Sequence, residues 1–186
     1  MKVSKETSAR HREALLAAAS RLFREKGFAK VGIAEIAAAA DLTHGAFYTH
    51  FASKADLCAA SIDRAQSRSL AALTTAGDWH AYVRGYLDPK HVRNRGAGCS
   101  LAALGGDVPR ESSEIKAVFA AGLERYITAA ADAVDKNGAP AARNRAILAV
   151  ATLLGGLIMA RNAADEDLRD EILAAVRAEL LGPDSR

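Results

Sequence analysis

Apolar residues recur at helical spacing along most of the chain, and this pattern restricts the fold more than any other feature. Near the N-terminus, Leu15, Leu16, Ala19, Leu22 and Phe23 fall at i, i+1, i+4, i+7 and i+8 and form one apolar stripe. Only four prolines occur in 186 residues, and no alternating strand pattern of useful length is present. Since 50% of the residues are hydrophobic, the chain can bury a core. The sequence therefore predicts an all-α globular protein.

Capping residues divide the first third of the chain into short helices. Ser8 is expected to cap the first helix, and Gly27 is expected to end it. Ser53 and Asp56 match the S-x-x-[DE] capping box and predict the start of another helix. Between these points the pattern predicts a second helix at residues 33–40 and a third at residues 44–51. Two helices joined by a tight turn and braced by the first helix are typical of a helix-turn-helix unit.

The remainder of the chain is predicted to contain longer helices. Gly77 is expected to end the fourth helix, and residues 89–98 read as a polar connection. Residues 137–140, Asn-Gly-Ala-Pro, predict a strong break. The helices predicted for this part span residues 79–87, 100–104, 112–136, 141–161 and 168–181.

The third helix divides its side chains between two faces. At about 100° per residue, Phe47 and Phe51 point to the same side, where they can enter a core. Gly45 and Thr49 point the opposite way, so the outward face is small near its start and polar further along. A helix that presses its first half against another body needs such a shape, because a bulky side chain at position 45 would hold it off.

Duplex DNA is the partner that explains these features together. The major groove, about 12 Å wide, admits one helix whose first residues reach the base edges. Residues 1–57 carry nine Lys and Arg against six Asp and Glu, whereas the rest of the chain carries sixteen of each. This excess is consistent with a polyanion partner, although a charge excess of this size also occurs on ordinary solvated surfaces. The residues expected to contact DNA are Thr43, His44, Gly45, Ala46, Tyr48, Thr49, His50 and Lys54.

The same segment resembles the signature of TetR-family transcriptional regulators. The matching positions are Gly27, Phe28, Ile36, Ala37, Thr43, Gly45, Phe47, Tyr48, His50, Phe51, Lys54 and Leu57. Two positions depart from the family pattern. Gly32 stands where a Thr or Ser usually caps the second helix and often touches phosphate, and Asp41 stands where a glycine is common in the turn.

The resemblance implies a helix-turn-helix DNA-binding domain at residues 1–57 and a helical effector-binding and dimerisation domain at residues 58–186. It also implies a homodimer in which the last two long helices pair with those of a second subunit. The small and apolar run around Gly155 suits such an interface, although an internal core explains it as well. The residues expected at the interface are Leu154, Leu157, Ile158, Ile172 and Val176.

Two aromatic groups in the second part mark a candidate pocket for an unidentified small-molecule effector. Aromatic stripes of this kind are more often core than pocket, yet apolar pockets do form between bundle helices. The expected pocket residues are Trp79, Tyr82, Tyr86, Cys99, Phe119, Leu123 and Tyr126. Cys99 follows Lys90, Arg93 and Arg95, so it is either a redox or electrophile sensor or a small buried hydrophobe.

Several classes of function are not expected. No nucleophile, base or phosphate loop forms an active site in the sequence, so an enzyme is not predicted. Cys58 and Cys99 lie far apart without a second ligand at metal-like spacing, and neither a metal site nor a cofactor is expected. The longest uncharged run, residues 146–160, is shorter than the roughly 20 residues of a membrane span. With a polar N-terminus that lacks a signal pattern, the protein is expected in the cytoplasm.

Two hypotheses of function remain. The first is a homodimeric regulator that binds a palindromic operator and is released by a ligand, most simply as a repressor. The second is a helical interaction module that keeps the helix-turn-helix for packing and does not read DNA.

Overall fold

The computed structural model describes residues 4–135 and 141–182, and these ranges contain ten α-helices, one short 3-10 helix and no strand. The all-α prediction is confirmed. The α-helices are α1 (Lys5–Lys26), α2 (Ile33–Ala39), α3 (His44–Phe47), α4 (Lys54–Thr75), α5 (Trp79–Tyr86), α6 (Pro89–Arg93), α7 (Ser100–Leu104), α8 (Ser113–Val134), α9 (Ala142–Asn162) and α10 (Glu166–Leu181); the 3-10 helix is Val108–Arg110.

The first helices enclose a core of their own around Phe23, Phe28 and Phe47, which are all fully buried. The Phe23 and Phe28 rings lie 5.2 Å apart across the turn that ends α1. The start of α4 completes this core with Leu57 and Ile62. The apolar stripe of α1 therefore serves to brace the helix-turn-helix.

α1 begins earlier than its apolar pattern indicated. The Ser4 hydroxyl caps it by accepting a hydrogen bond from the Thr7 N–H at 3.1 Å, so the expected cap at Ser8 is wrong. α10 also begins earlier, at Glu166, because the Asp165 carboxylate accepts a hydrogen bond from the Leu168 N–H at 2.8 Å. In both cases the first turn is polar, so apolar spacing carries no signal for it.

One helix was missed altogether. α6 occupies the first half of the segment predicted as a polar connection. Pro89 stands at its start, where no backbone N–H is needed, and the Asp88 carboxylate accepts a hydrogen bond from the Lys90 N–H at 2.7 Å. The break predicted at residues 137–140 lies outside the described residues.

The second half of the chain packs around α8 and α9. α8 lies against α4 on one side and α9 on the other, and α9 also packs on α10. Gly122 of α8 lies directly against Gln66 of α4, because an added Cβ on Gly122 would lie 1.8 Å from Oε1 of this buried side chain. The amide of Gln66 donates to the Phe119 carbonyl at 3.0 Å, so this crossing is tied by a hydrogen bond as well as by packing.

The predicted boundary between residues 57 and 58 falls inside α4, which continues through it without a break. Cys58 and Ile62, beyond that boundary, pack in the N-terminal core together with Leu104, Val108 and Ile115. The division into two domains stays a prediction, and the described helices share α4 as a common element.

Candidate nucleic-acid interface

The turn between α2 and α3 depends on Asp41. This residue adopts a left-handed conformation with φ of 56°, which Asp tolerates better than most residues. The N–H of Leu42 then donates to the Ala37 carbonyl at 2.9 Å and closes the end of α2. Thr43 caps α3 as expected, because its hydroxyl accepts a hydrogen bond from the Ala46 N–H at 3.3 Å.

α3 presents the two faces that its sequence predicted. Phe47 and Phe51 are 0% and 2% exposed, and their rings lie 5.9 Å apart in the core. Gly45 and Thr49 are exposed, and Tyr48 is 56% exposed. An added Cβ on Gly45 would meet no atom within 4 Å. Nothing in the chain's own packing therefore requires a glycine at this position.

α3 is shorter than the helix predicted for residues 44–51, because its regular part ends at Phe47 and turns follow. The Ala46 carbonyl accepts from both the N–H and the hydroxyl of Thr49, at 3.3 and 2.5 Å. In a continued α-helix this carbonyl would instead accept from the N–H of His50, which bonds to Phe47 at 2.9 Å. The threonine hydroxyl thus competes with the helical ladder.

The exposed face carries an aromatic and imidazole group. The His44 and Tyr48 rings are 5.5 Å apart in an edge-on arrangement. The His50 ring lies 6.1 Å from that of His11 on α1. Partial burial is the main cause that lowers the pKa of His50 from 6.5, and the nearby His11 and Arg12 lower it further. Its imidazole is therefore mainly neutral at pH 7. A neutral imidazole both donates and accepts hydrogen bonds.

Lys54 has a structural contact besides its expected role at DNA. Its ammonium donates to the Phe28 carbonyl at 2.7 Å and so links the start of α4 to the turn after α1. The predicted capping box beside it is present: the Asp56 N–H donates to the Ser53 hydroxyl at 3.0 Å. The Asp56 carboxylate accepts a further bond from the N–H of Ala52 at 3.2 Å.

Two residues next to this face were not predicted from the sequence. The Arg12 guanidinium lies over the Phe51 ring, 4.9 Å from its centroid, and His11 is its chain neighbour. Both belong to α1, and their position depends on how α1 crosses α3, for which the sequence carries no signal. At α2 the cap is Gly32 without a side-chain bond, and Lys26 pairs with Glu35 at 2.6 Å.

A cavity of about 350 Å³ lies between α4, α5 and the segment of residues 91–99. Three of the residues predicted for an effector pocket, Tyr82, Tyr86 and Cys99, line this cavity. Trp79 and Tyr126 lie instead in the buried core, and Phe119 and Leu123 pack against that core; none of the four lines this cavity. The sequence placed the pocket between α5 and α8, but there the Tyr82 and Tyr126 hydroxyls bond to each other at 2.5 Å.

His91 fixes one wall of this cavity. Its Nδ1 lies 2.6 Å from the Tyr86 carbonyl, and its Nε2 lies 3.0 Å from the N–H of Cys99. Nε2 can accept from that N–H only when it carries no proton, so Nδ1–H is the donor to Tyr86. Burial lowers the pKa of His91 from 6.5, which agrees with a neutral ring. Cys99 itself is buried, and its sensor role stays a prediction.

The candidate interface residues on α9 and α10 differ in exposure. Leu157, one of the residues expected at the interface, is 0% exposed and belongs to the core of its own chain. Leu154, Ile172 and Val176 are partly buried against the same core, whereas Ile158 is 43% exposed. The small residue that allows α9 and α10 to approach is Gly156, since its added Cβ would lie 2.7 Å from Cγ2 of Val176.

An exposed apolar strip, termed the α9 row, runs along the outer face of α9. Ile158, Met159 and Leu148 are 43%, 58% and 68% exposed, although all three are large and apolar. Gly155 lies between them, and an added Cβ there would meet nothing within 4 Å. The row consists of Leu148, Ala151, Gly155, Ile158 and Met159.

α9 is long and apolar enough to cross a membrane by length and composition alone. Its buried residues, among them Leu153 and Leu157, pack in the core with α8 and α10. Core helices of helical proteins meet the same criterion, so the composition does not by itself indicate a membrane span. Within residues 4–135 and 141–182, no group of three or more His, Cys, Asp or Glu side chains is placed to hold a metal ion.

The fold and this surface define a helix-turn-helix protein with a helical C-terminal half. The family described as "Bacterial regulatory proteins, tetR family" matches residues 15–60, which include α2, α3 and the start of α4. The repressor BepR of Brucella suis is 41% identical over 66 residues, which are 36% of this chain and 32% of BepR. The regulator TtgR of Pseudomonas putida is 40% identical over 60 residues, 32% of this chain and 29% of TtgR.

The likeness in fold extends over almost the whole chain. A TetR-family regulator from Agrobacterium tumefaciens superposes with a TM-score of 0.76 at 17% identity, covering 93% of this chain and 98% of its own. Residues 15–60 are thus similar to the helix-turn-helix part of TetR-family regulators, and the fold as a whole is similar to that of solved TetR-family regulators. The sequence matches span about a third of the length of the curated relatives, and they are confined to the helix-turn-helix part.

Proposed function

We propose that the chain is a sequence-specific DNA-binding regulator that acts as a homodimer on an inverted-repeat operator. In this proposal it represses transcription in the cytoplasm and is released from DNA by a small ligand. Repression is also the activity named for its relative BepR. The single observation that carries the proposal is Gly45, an exposed helical glycine with no neighbour within 4 Å of an added Cβ.

A glycine inside a helix costs about 1 kcal/mol relative to alanine. At Gly45 this cost is not offset by any close contact within the chain. A partner outside the chain explains it, because the backbone of α3 can then approach the floor of the major groove. Phe47 and Phe51 hold the helix from behind, so the approach does not disturb the core.

The polar groups around Gly45 have separate roles in this proposal. Tyr48, 56% exposed, reaches a phosphate with its hydroxyl, and Lys54 contributes charge at the start of α4. His44 and Thr49 face the base edges, with Ala46 keeping the contact close. Thr43 and His50 lie at the two ends of this surface and donate to the DNA backbone.

The α9 row supports the homodimer. The three large apolar side chains of this row, Leu148, Ile158 and Met159, are exposed in the single chain, and Gly155 leaves room between them for a second helix. A twofold arrangement would pair this row with its copy. Leu154, Ile172 and Val176 border the row, whereas the buried Leu157 supports it from beneath. Two recognition helices could then meet successive major grooves, about 34 to 36 Å apart.

The test of this function is a binding titration with the DNA that lies upstream of the protein's own gene, at several salt concentrations. The proposal predicts that this DNA binds far more tightly than a shuffled duplex and that the affinity falls steeply as salt rises. Equal affinity for both duplexes, or none for either, would favour the alternative of a helical interaction module.

Single substitutions assign the surface within the same assay. Tyr48→Ala and Lys54→Ala should weaken binding to every duplex, because phosphate contacts carry no sequence information. His44→Ala and Thr49→Ala should change the preference among operator variants. The assigned face is wrong if all four proteins bind like the wild type. Since Lys54 also bonds to Phe28, its variant needs a melting curve as a folding control.

A further inference from the structure

The cavity between α4 and α5 has a charge pattern that the proposed function does not yet use. Two guanidinium groups, Arg24 and Arg68, line it, and none of its lining residues is Asp or Glu. Small side chains form much of the wall, including Ala65, Ala72 and Ala81. The volume of about 350 Å³ falls within the range of small-molecule sites, about 300 to 1,000 Å³.

Arg24 is the unusual member of this wall. Its side chain comes from the last turn of α1, yet the residue is only 7% exposed. Nε donates to the Gly96 carbonyl at 2.9 Å, Nη2 donates to the same oxygen, and Nη1 donates to the Ser20 hydroxyl at 2.5 Å. These partners are neutral, and two further N–H groups of the guanidinium remain available. A buried cation is ordinarily paired with an anion.

The surroundings of Arg24 favour an incoming negative charge. Burial and the neighbouring Arg68 lower its pKa to about 10; Arg68 does so because the two positive charges repel each other. The Glu25 carboxylate raises the pKa of Arg24 only slightly, less than burial and Arg68 lower it, and it pairs with Arg21 at 3.2 Å. Arg68 is exposed at the cavity wall and takes part in none of the ion pairs found among the described residues.

The Tyr86 hydroxyl is a second polar group without a partner. Tyr86 lines the cavity and is 5% exposed, and its hydroxyl has no hydrogen-bond partner among the described residues. The nearby Cys99 thiol can form only a weak hydrogen bond with this hydroxyl. Burial raises the pKa of Tyr86 well above 10, so the group remains an O–H donor at pH 7. The Nε2 atom of His91 is already occupied by the Cys99 N–H.

We propose that the effector of this protein is a small organic carboxylate, held between Arg24 and Arg68 with its apolar body against Tyr82 and the alanines of α4. The free N–H groups of Arg24, the Arg68 guanidinium and the Tyr86 hydroxyl can all donate hydrogen bonds, and two cations without a carboxylate in the wall favour an anionic acceptor. This inference rests on the proposed function, because it names the ligand class of the regulatory site.

The same geometry indicates how the ligand would act on DNA binding. Arg24 connects α1, which braces the helix-turn-helix, to the Gly96 carbonyl in the segment between α6 and α7. A carboxylate that binds the two free N–H groups of Arg24 would draw the guanidinium away from this carbonyl. Arg24 and Arg68 also line a second cavity, between α1, α2 and α4, so the anion site borders the N-terminal helices directly. Loosening this contact would let the two halves of the chain shift.

The experiment compares acids with amides of the same shape. Phenylacetate and naphthoate are titrated against phenylacetamide and naphthamide by calorimetry, using the full chain. The proposal predicts that each acid binds at least about tenfold more tightly than its amide, since charge-assisted hydrogen bonds are the stronger kind. Arg68→Gln should remove that difference, and Arg84→Gln is the matched control, because Arg84 is an exposed arginine of α5 outside the cavity.

A second variant tests whether the ligand occupies this cavity, and it leaves both arginines in place. Gly85 lines the cavity, and an added Cβ there would meet no atom within 4 Å, so Gly85→Leu should fill the space and reduce acid binding at least about tenfold. The inference is overturned if the amides bind as tightly as the acids, or if neither acid binds. It is also overturned if Arg68→Gln and Arg84→Gln lose acid affinity to the same extent.

Operator binding of the ligand-free protein separates the two proposals. If the protein binds its operator but does not prefer the acids, the anion site is wrong and the regulator stands. If it prefers the acids but binds no DNA specifically, the site stands and the proposed function fails. When both hold, the acids should also weaken operator binding, because the coupling between the two sites is reciprocal.

Discussion

Gly45→Ala should make the protein more stable and a poorer DNA binder. The added Cβ meets no atom within 4 Å, and Gly45 has no positive φ that would strain an alanine. Alanine is favoured over glycine in a helix by about 1 kcal/mol, and α3 is short, so we expect the free energy of unfolding to rise by roughly 0.5 to 1 kcal/mol. For a chain of this size that corresponds to an increase in Tm of about 1 to 4 °C.

The same methyl group lies on the face of α3 that we propose to approach DNA. Displacing α3 from the groove weakens several contacts at once, and a loss of tenfold in operator affinity corresponds to about 1.4 kcal/mol. We therefore expect the dissociation constant of the Gly45→Ala protein to rise at least about tenfold, measured by fluorescence anisotropy with labelled operator DNA.

Gly85→Ala is the matched control for this experiment. Gly85 is also an exposed helical glycine with open space around an added Cβ, but it lies on α5, away from α3. Although Gly85 also lines the cavity, the Gly85→Ala protein should gain stability in the same way and, without added ligand, keep its operator affinity. The reasoning is refuted if Gly45→Ala binds DNA as tightly as this control, or if it melts at a lower temperature than the wild type.

Three further predictions concern the rest of the chain. If the protein is the proposed homodimer, Ile158→Asp should convert it to monomers in sedimentation velocity, because the substitution places a charge in the α9 row, while Ala120→Asp on the exposed side of α8 should leave the dimer intact. Gly122→Ala should lower the free energy of unfolding in urea melts by about 1 to 3 kcal/mol, because its Cβ would displace the buried amide of Gln66 from its hydrogen bond. Burial lowers the pKa of His91 from 6.5, so its contribution to stability is fully present above about pH 6.5 and is lost as pH falls through the lowered value; His91→Gln should show a smaller drop in Tm between pH 7.5 and pH 5.5. The first prediction is contradicted if the wild type is a monomer, and the second if Gly122→Ala leaves the urea midpoint unchanged. The third is contradicted if the Tm of the wild type and that of His91→Gln depend equally on pH.

The helix-turn-helix could be predicted in detail because local rules determine it. Ser53 and Thr43 cap helices through their own side chains, and a turn of 100° per residue assigns Phe47 to the core and Gly45 to the outside. The end of α3 was not predicted, because the Thr49 hydroxyl competes for the Ala46 carbonyl. Such competition depends on side-chain rotamers, which spacing does not reveal.

The second half of the chain was harder to predict for a different reason. α9 contains a run of apolar residues, Leu153, Leu154, Gly155, Gly156 and Leu157, without a polar side that would fix its orientation. The sequence therefore left open whether Leu157 lies at an interface or in the core; in the structure it is buried in the core of its own chain. The sequence also did not locate the cavity. One of its wall residues, Arg24, belongs to α1 and bonds to Gly96, which lies 72 residues further along the chain, and such a distant contact leaves no pattern in the sequence.

The most direct test of the central claim is selection of bound sequences by the purified protein from a library of random duplex DNA. A homodimer with one recognition helix per subunit predicts that one inverted repeat is enriched, with half-site centres about 10 to 10.5 base pairs apart or a multiple of that. The Gly45→Ala protein should enrich this repeat poorly from the same library. A wild-type pool without a common motif after repeated rounds would contradict the account.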